Sequence, residues 1–325
     1  MAKSSKLLPM REAIGEFVPD GASVALGLQM EQMIPFAAGQ EMARQKKRRL
    51  TLVGPISDIL FDQLIAAGCV ERAIAAWVGN VMMGSAYNFR RAAEQGSLKV
   101  INMTNFTVAL ALQAGAMGVP FLPTWTALGS DIAQENDFLA EIESPFVNDT
   151  PGESATGWGG QGHGPLGERV KLHAVRALSP DVAIVHLQRA DCDGNAHCWG
   201  NFGVMIEGVR AAKRVIVVAE EIVEADVIAS DPNRTVIPGF LVDAVVECRY
   251  GAHPSPVQGY YKRDDAFFCQ YHEQTKAKAD GDAWLQRWIF GVPDRRAYME
   301  QLGACRVEQL GVKRHAYAAQ ADFGY

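Results

Sequence analysis

Three groups of residues in this sequence have the side chains that chemistry needs. Cys192, His197 and Cys198 bracket an Asp193-Gly194-Asn195 turn and offer thiolate and imidazole donors of the kind that hold a metal. Their spacing matches no usual zinc pattern and no second cysteine pair accompanies them, so a hairpin turn with ordinary cysteines is expected, and no metal. Glu220 and Glu221 close the apolar run Val215–Ala219, and a carboxylate ending a buried strand is placed to act as an acid or base. The pair suits the first turn of a following helix equally well, where carboxylates meet the positive end of the dipole. His253 stands between Gly251 and Pro254, which fixes its backbone and aims its ring; a site residue and a hydrogen-bonded structural histidine are both open. No serine or cysteine lies in a Gly-x-Ser-x-Gly elbow, and no Gly-x-Gly-x-x-Gly fingerprint follows a strand. The chain shows no obvious nucleophile of its own.

The elements that would position such groups are organised around Ser179–Glu221. Val182–Leu187 and Val215–Ala219 are short, rich in β-branched residues and bounded by polar residues, the pattern of strands buried on both faces. Val204–Ala212 supplies a crossover helix between them. Earlier in the chain, helix Met10–Phe17 and the turn Val18-Pro19-Asp20-Gly21 lead into strand Ser23–Gly27. Pro35 suits the first position of a helix running to about Gln45. The alternation continues with strand Leu50–Gly54, helix Ile56–Ala67, strand Ala73–Val78, helix Ser85–Glu94, strand Lys99–Asn102, helix Phe106–Gly115 and strand Val119–Pro123. This predicts an α/β fold with an open, doubly wound, mostly parallel sheet and helices on both faces, as a single domain over residues 1–325. Phe146–Gly167 is a long glycine-rich loop, a lid or a seam between halves, whose Trp158 either covers a ligand or packs on the body. Asp231-Pro232-Asn233-Arg234 reads as a turn and Phe240–Cys248 as the last strand, before a helical tail from about Asp265 in which Trp284, Trp288 and Phe290 pack on the body.

Gly27, Gly54, Gly79 and Gly129 each follow a predicted strand closely. Ligands of open α/β sheets sit outside the carboxyl ends of strands, where glycine lets the backbone come close, so this row predicts a cleft along that edge.

Composition narrows the classes. The 325-residue chain is 48% hydrophobic with a net charge of −6 and dispersed charges, which favours neither nucleic acid nor an anionic membrane. Lys46-Lys47-Arg48-Arg49 is read as a solvated helix end. The six cysteines are scattered, as in reduced cytoplasmic proteins. No secretory signal is read at the start, and the most apolar window, Thr107–Leu122, is interrupted before the ~18 residues a membrane span needs.

Taken together, a set of short stretches resembles the A (α) subunit of heteromeric family I CoA-transferases, that of glutaconate CoA-transferase in particular. They are Val18–Gly21, Ala25-Leu26-Gly27 with Pro35, Gly118–Pro123, Asp181–His186, Asp193-Gly194, Ala219–Ile222, Ile237–Val246 and Tyr250–Ser255, in order along nearly the whole chain. The resemblance implies a fold shared with sugar-phosphate isomerases and an enzyme of A and B chains, paired into a heterotetramer or larger assembly. It implies coenzyme A, as an acyl-CoA of a dicarboxylic or ring-cleavage acid, as substrate. A glutamate of the B (β) subunit is then the nucleophile, which accounts for the missing one here. The residues expected to line the cleft are Gly27, Gln29, Gly54, Asn80, Gly129, Ser130 and His253, with Glu31 the one carboxylate of the first loop to consider for catalysis. Within Gly27–Ile34 the chain departs from the family: Leu28 replaces a glycine and Met33-Ile34 a basic pair, which implies a more apolar or larger substrate. Relatives with the same scaffold include hydrolases and decarboxylases, so hydrolysis, C–C cleavage, decarboxylation and a non-catalytic ligand-binding role stay open beside transfer.

Overall fold

The computed structural model describes residues 5–84, 86–147 and 169–312. The first part of the chain forms strands β1 (Ser23–Ala25), β2 (Leu50–Val53), β3 (Val70–Ala75) and β4 (Lys99–Asn102). Then come β5 (Phe121–Thr124), β6 (Leu139–Val147) and β7 (Arg169–Arg176). The last part adds β8 (Val182–Ala190), β9 (Ala196–His197), β10 (Arg214–Ile222), β11 (Thr235–Ile237) and β12 (Ala244–Glu247). Parallel pairing runs β12-β10-β8-β1-β2-β3-β4, with β9 antiparallel on the tip of β8 and β11 antiparallel on β9, making a nine-stranded sheet.

Side chains alternate along each strand, and here both faces are apolar. Val24, Leu52, Ile184, Ile216 and Val246 pack under helices Met10–Phe17, Phe36–Arg44 and Asp58–Ala66 and the C-terminal helices. Ala25, Val53, Ala183, Val185 and Val217 pack under helices Asn105–Met117 and Met205–Ala211. The doubly wound, mostly parallel sheet expected from the alternation is the fold observed.

The fifth expected strand is a correction. Residues 121–124 are extended, but β5 leaves the main sheet and pairs antiparallel with β7 in a separate three-stranded sheet ordered β5-β7-β6. Pro123 has no N–H to donate and is tolerated on such an edge strand, and β5 alternates exposed with half-buried residues. Phe146 and Val147, read as loop, end β6. The rest of that glycine-rich stretch, including Trp158, lies outside the described residues. The strand expected at Phe240–Cys248 is confined to β12, since Gly239–Leu241 form one 3₁₀ turn that leaves Phe240 exposed. Trp284 and Trp288 are buried as expected, but Phe290 is not.

At the outer edge of β12 the chain's own Lys6–Leu8 stretch pairs with the sheet: Leu8 N–H donates to Val245 O at 2.9 Å, and Val245 N–H donates to Lys6 O at 2.9 Å. Among the described residues no helix is long and apolar enough to cross a membrane.

Candidate functional site

Strand order reverses between β1 and β8. From β1 the chain winds outward through β2, β3 and β4, and from β8 it winds the other way through β10 and β12. Such a switch point opens a crevice at the carboxyl ends of the strands. β1 stops at Ala25 while β8 runs on to Ala190, so loops line the space beyond β1. One is Leu26–Pro35, whose Leu28 O accepts from Val204 N–H at 2.8 Å. Another is Cys198–Val204, held by buried Gln188, whose Nε2 donates to Trp199 O at 2.8 Å while its Oε1 accepts from Trp199 N–H at 3.4 Å. The third wall is Ser255–Arg263: Met33 N–H donates to Pro256 O at 3.0 Å and Ser255 Oγ to Glu31 O at 2.6 Å. Met30 and Met33 have φ of 64° and 51°, the left-handed region that favours glycine. Strain of this kind persists where surrounding structure over-determines it, and it gathers at functional sites.

Arg263 ties the Leu26–Pro35 loop to the start of the helix after β2. Its Nη1 donates to Glu31 Oε2 at 2.7 Å and its Nη2 to Asp58 Oδ2 at 2.8 Å, while its guanidinium lies 4.4 Å over the Phe268 ring. Asp58 opens the helix after β2 with φ of 49°, and its Oδ1 accepts from Ile59 N–H at 2.9 Å and Val81 N–H at 3.3 Å. Burial pushes the Asp58 carboxyl up to about 7, against the opposing pull of Arg263 and the two N–H donors. A buried carboxylate with this balance at a strand end is a candidate to exchange a proton near neutral pH. Beside it the loop after β3 exposes Trp77, Met82 and Met83.

Deeper in, two adjacent carboxylates are matched by two adjacent tyrosines. Tyr261 Oη donates to buried Glu220 Oε1 at 2.7 Å, and the same oxygen lies 2.6 Å from His186 Nε2. Tyr260 Oη donates to Glu221 Oε1 at 2.6 Å, beside Arg189. Burial opposes ionisation of Glu221, but Tyr260 and Arg189 outweigh it and hold its carboxyl below the ordinary range. Neither glutamate caps a helix. Both pin the Ser255–Arg263 wall to the end of β10.

The residues expected to line the cleft divide among several surroundings. Gln29 and Glu31 belong to the first loop; Gln29 is buried and its Nε2 meets two sulfurs, Cys198 Sγ at 3.4 Å and Met33 Sδ at 3.7 Å. Gly27 and Gly54 are pressed together: a Cβ on Gly54 would lie 2.3 Å from Leu26 O, and one on Gly27 would lie 2.7 Å from Ser57 Oγ. Asn80 is buried and shapes its own turn, donating to Phe268 O at 2.8 Å and accepting from Met82 N–H at 3.1 Å. Gly129 and Ser130 follow β5, away from the main-sheet row, and Ser130 Oγ donates to Ala127 O at 2.8 Å. His253 is wholly buried, with Nε2 3.0 Å from Asp264 Oδ2 and Nδ1 2.9 Å from Tyr298 Oη. Its acceptor-only carboxylate partner assigns the proton to Nε2, and burial lowers its pKa to about 4.

Leu28, Met33 and Ile34, the departures within the first loop, are buried in the body, so their side chains do not form an exposed wall. The Asp193-Gly194-Asn195 turn joins β8 to β9, and the residues around it serve separate contacts: His197 Nε2 lies 3.0 Å from Ile228 O, and Cys198 meets Gln29. Among the described residues no group of three or more His, Cys, Asp or Glu is placed to hold a metal. Sequence reasoning passed over Asp58, Gln188, Gln258 and Arg263. The available signal was Pro55-Ile56-Ser57-Asp58 directly after Gly54, an acid placed where a strand turns into a helix.

The model of the Coenzyme A transferase family matches residues 8–248. The A subunit of 3-oxoadipate CoA-transferase from Pseudomonas knackmussii is 35% identical over 293 residues, spanning 89% of this chain and 95% of that one. The crystal structure of glutaconate coenzyme A-transferase from Acidaminococcus fermentans superposes with a TM-score of 0.85 at 32% identity, covering 96% of this chain and 97% of that chain. The IpdA subunit of a cholesterol ring-cleaving hydrolase from Rhodococcus jostii is 29% identical over 305 residues, spanning 90% of this chain and 95% of that one. A crevice at the switch point of a doubly wound sheet, carried by a sequence similar from end to end to these proteins, makes the chain a member of the Coenzyme A transferase family.

Proposed function

We propose that this chain is the A subunit of a two-chain enzyme that moves CoA between carboxylic acids, with the acyl-CoA of a dicarboxylic or ring-cleavage acid as substrate. The observation that carries the reading is the 35% identity to the A subunit of a CoA-transferase over nearly its whole length. A B-type subunit brings the attacking glutamate, whose carboxylate displaces the CoA thiolate to give an acyl-glutamyl anhydride. The thiolate then attacks the glutamyl carbonyl and expels the first acid as carboxylate, and the resulting glutamyl thioester passes CoA to a second acid by the same steps in reverse. The A-type chain supplies one wall of the cleft: the strained Met30–Met33 loop, the Arg263 bridge and the glycine-bounded strand ends. The two chains assemble as a heterotetramer or larger unit, and the six unpaired cysteines suit the cytoplasm.

Hydrolysis or C–C cleavage on the same scaffold is the second reading, favoured by the similarity to the ring-cleaving hydrolase. Co-expression with a B-type chain, incubation with acyl-CoA, borohydride reduction and mass spectrometry separate the two. A mass change localised to a B-chain glutamate supports transfer. An unmodified complex that still consumes the acyl-CoA establishes the second reading instead.

A further inference from the structure

Two cavities, of about 670 and 620 Å³, lie between the Glu247–Tyr250 segment that leaves β12 and the helices Arg295–Leu302 and Ala304–Leu310. They meet at a common wall of Tyr250, Arg296, Met299 and Val307 and so form one groove, lined by none of the crevice loops Leu26–Pro35, Cys198–Val204 and Ser255–Arg263 among the described residues. Met10, Tyr250, Met299 and Val307 are half-buried, so the groove keeps apolar surface in water that a ligand would cover. Concavities of this size, mainly apolar with a few polar groups, are the usual form of a small-molecule site.

The two halves differ in charge. One carries the guanidiniums of Arg249, Arg295 and Arg296 against the carboxylates of Glu247 and Asp294. Most of these are already matched. Arg295 Nε donates to Tyr250 O at 2.8 Å, Asp294 Oδ1 accepts from Ala297 N–H at 2.8 Å, and Arg296 pairs with Glu300 at 3.0 Å. Arg249 is exposed and holds no hydrogen bond or ion pair among the described residues, though Glu221 and Tyr250 feel its charge. The other half is lined by Met299, Ala304, Val307 and Gly311, with Glu308 its one charge beyond the Arg296–Glu300 pair.

We propose that this groove binds an aliphatic carboxylate, its head on Arg249 and its chain lying on Tyr250, Met299 and Val307. The carboxylate gains charge-assisted hydrogen bonds from a guanidinium that has none, and each methylene covered adds hydrophobic stabilisation. An ammonium would enter a half in which guanidiniums outnumber carboxylates. The floor is preformed: Tyr250, at φ of 57°, is fixed by its N–H to Glu220 Oε2 at 2.8 Å and by its ring, stacked on Tyr261 at 4.6 Å. The bound chain therefore rests on the residue that links the end of β10 to the Ser255–Arg263 wall. The site does not depend on the CoA reading and is tested by binding alone.

The test is calorimetry at pH 7 with butyrate, hexanoate and octanoate, on the chain alone and in complex with its B-type subunit. Affinity should rise roughly threefold per added methylene, and 1-octanol and octylamine should bind at least about tenfold more weakly than octanoate. Arg249→Gln should weaken all three acids by about the same factor, roughly tenfold. Ala304→Trp, at an exposed position of the apolar half, should leave butyrate unchanged and flatten the rise towards octanoate. Absence of octanoate binding, binding that neither variant alters, or tighter binding of octylamine would overturn the assignment. So would octanoate binding by the chain alone that disappears in the complex, since the partner would then be what covers the groove.

Discussion

Replacing Asp58 by Asn should change how stability depends on pH, in a direction and amount that follow from its surroundings. The side chain is buried, and its carboxyl is pushed up to about 7 from an ordinary value of 3.8. Across that window folded Asp58 keeps a proton that the unfolded chain has released. The stability this contributes is complete below the unfolded value and is lost as pH rises through about 7. The asparagine of the variant has no proton to exchange and keeps an oxygen for the Ile59 and Val81 N–H groups, so its contribution is flat. The stability of the wild type relative to Asp58→Asn should therefore fall by roughly 2.5 kcal/mol between pH 5 and pH 8, most of it below pH 7. The assay is urea unfolding of both proteins at unit pH intervals, followed by the fluorescence of buried Trp284 and Trp288. His253 and Asp264 titrate in the opposite sense, but they do so in both proteins and cancel in the difference. A difference that stays constant from pH 5 to 8, or grows with pH, would refute the reasoning and show that Arg263 dominates over burial at Asp58.

Three further substitutions test the packing argument and the His253 network. Gly54→Ala, whose Cβ would meet Leu26 O at 2.3 Å, should cost about 2–3 kcal/mol and lower the melting temperature by several degrees. Gly129→Ala meets open space, and at φ of 73° should cost only about 1 kcal/mol of backbone strain, so the two melting curves should separate clearly. Asp264 is buried, which works against its charge, yet His253 and Arg306 hold its carboxyl well below the ordinary range. Its stabilising contribution is present above pH ~4 and fades as pH falls below that. Asp264→Asn should therefore cost about 3 kcal/mol at pH 7, read by urea unfolding, with the deficit narrowing towards pH 3.

The parallel sheet was legible because its strands carry their own signal. Val182–Val185 and Val215–Ala219 are apolar at successive positions, the pattern of a strand covered on both faces. β5, β6 and β7 send no such signal. Residues 139–147 alternate irregularly and include Glu141, Glu143 and Pro145, so nothing local distinguishes them from loop. Gly27 and Gly54 are read from the sequence as the edge of a cleft, and what the structure shows at them is the contact between neighbouring strand-end loops. Arg263 could not have been singled out. Its meaning comes from meeting Glu31 and Asp58, which are distant in sequence, and one charged residue in a polar stretch carries no trace of that.

The pairing of Lys6–Leu8 with β12 also bears on how the protein behaves in concentrated solution. An uncovered parallel edge offers a row of free N–H and C=O groups to any other extended chain, including a second copy of itself. At this edge Lys6 and Leu8 already occupy the N–H and C=O of Val245, which an added strand would otherwise use. The opposite edge is β4, only four residues long and opening with Lys99, where brevity and charge discourage strand addition. One edge is guarded by a strap and the other by its own shortness. Lys6 also donates to Cys192 O and, through Nζ, to Gly239 O, so the strap ties the β8–β9 turn and the 3₁₀ turn before β12 together as well as closing the edge of the sheet.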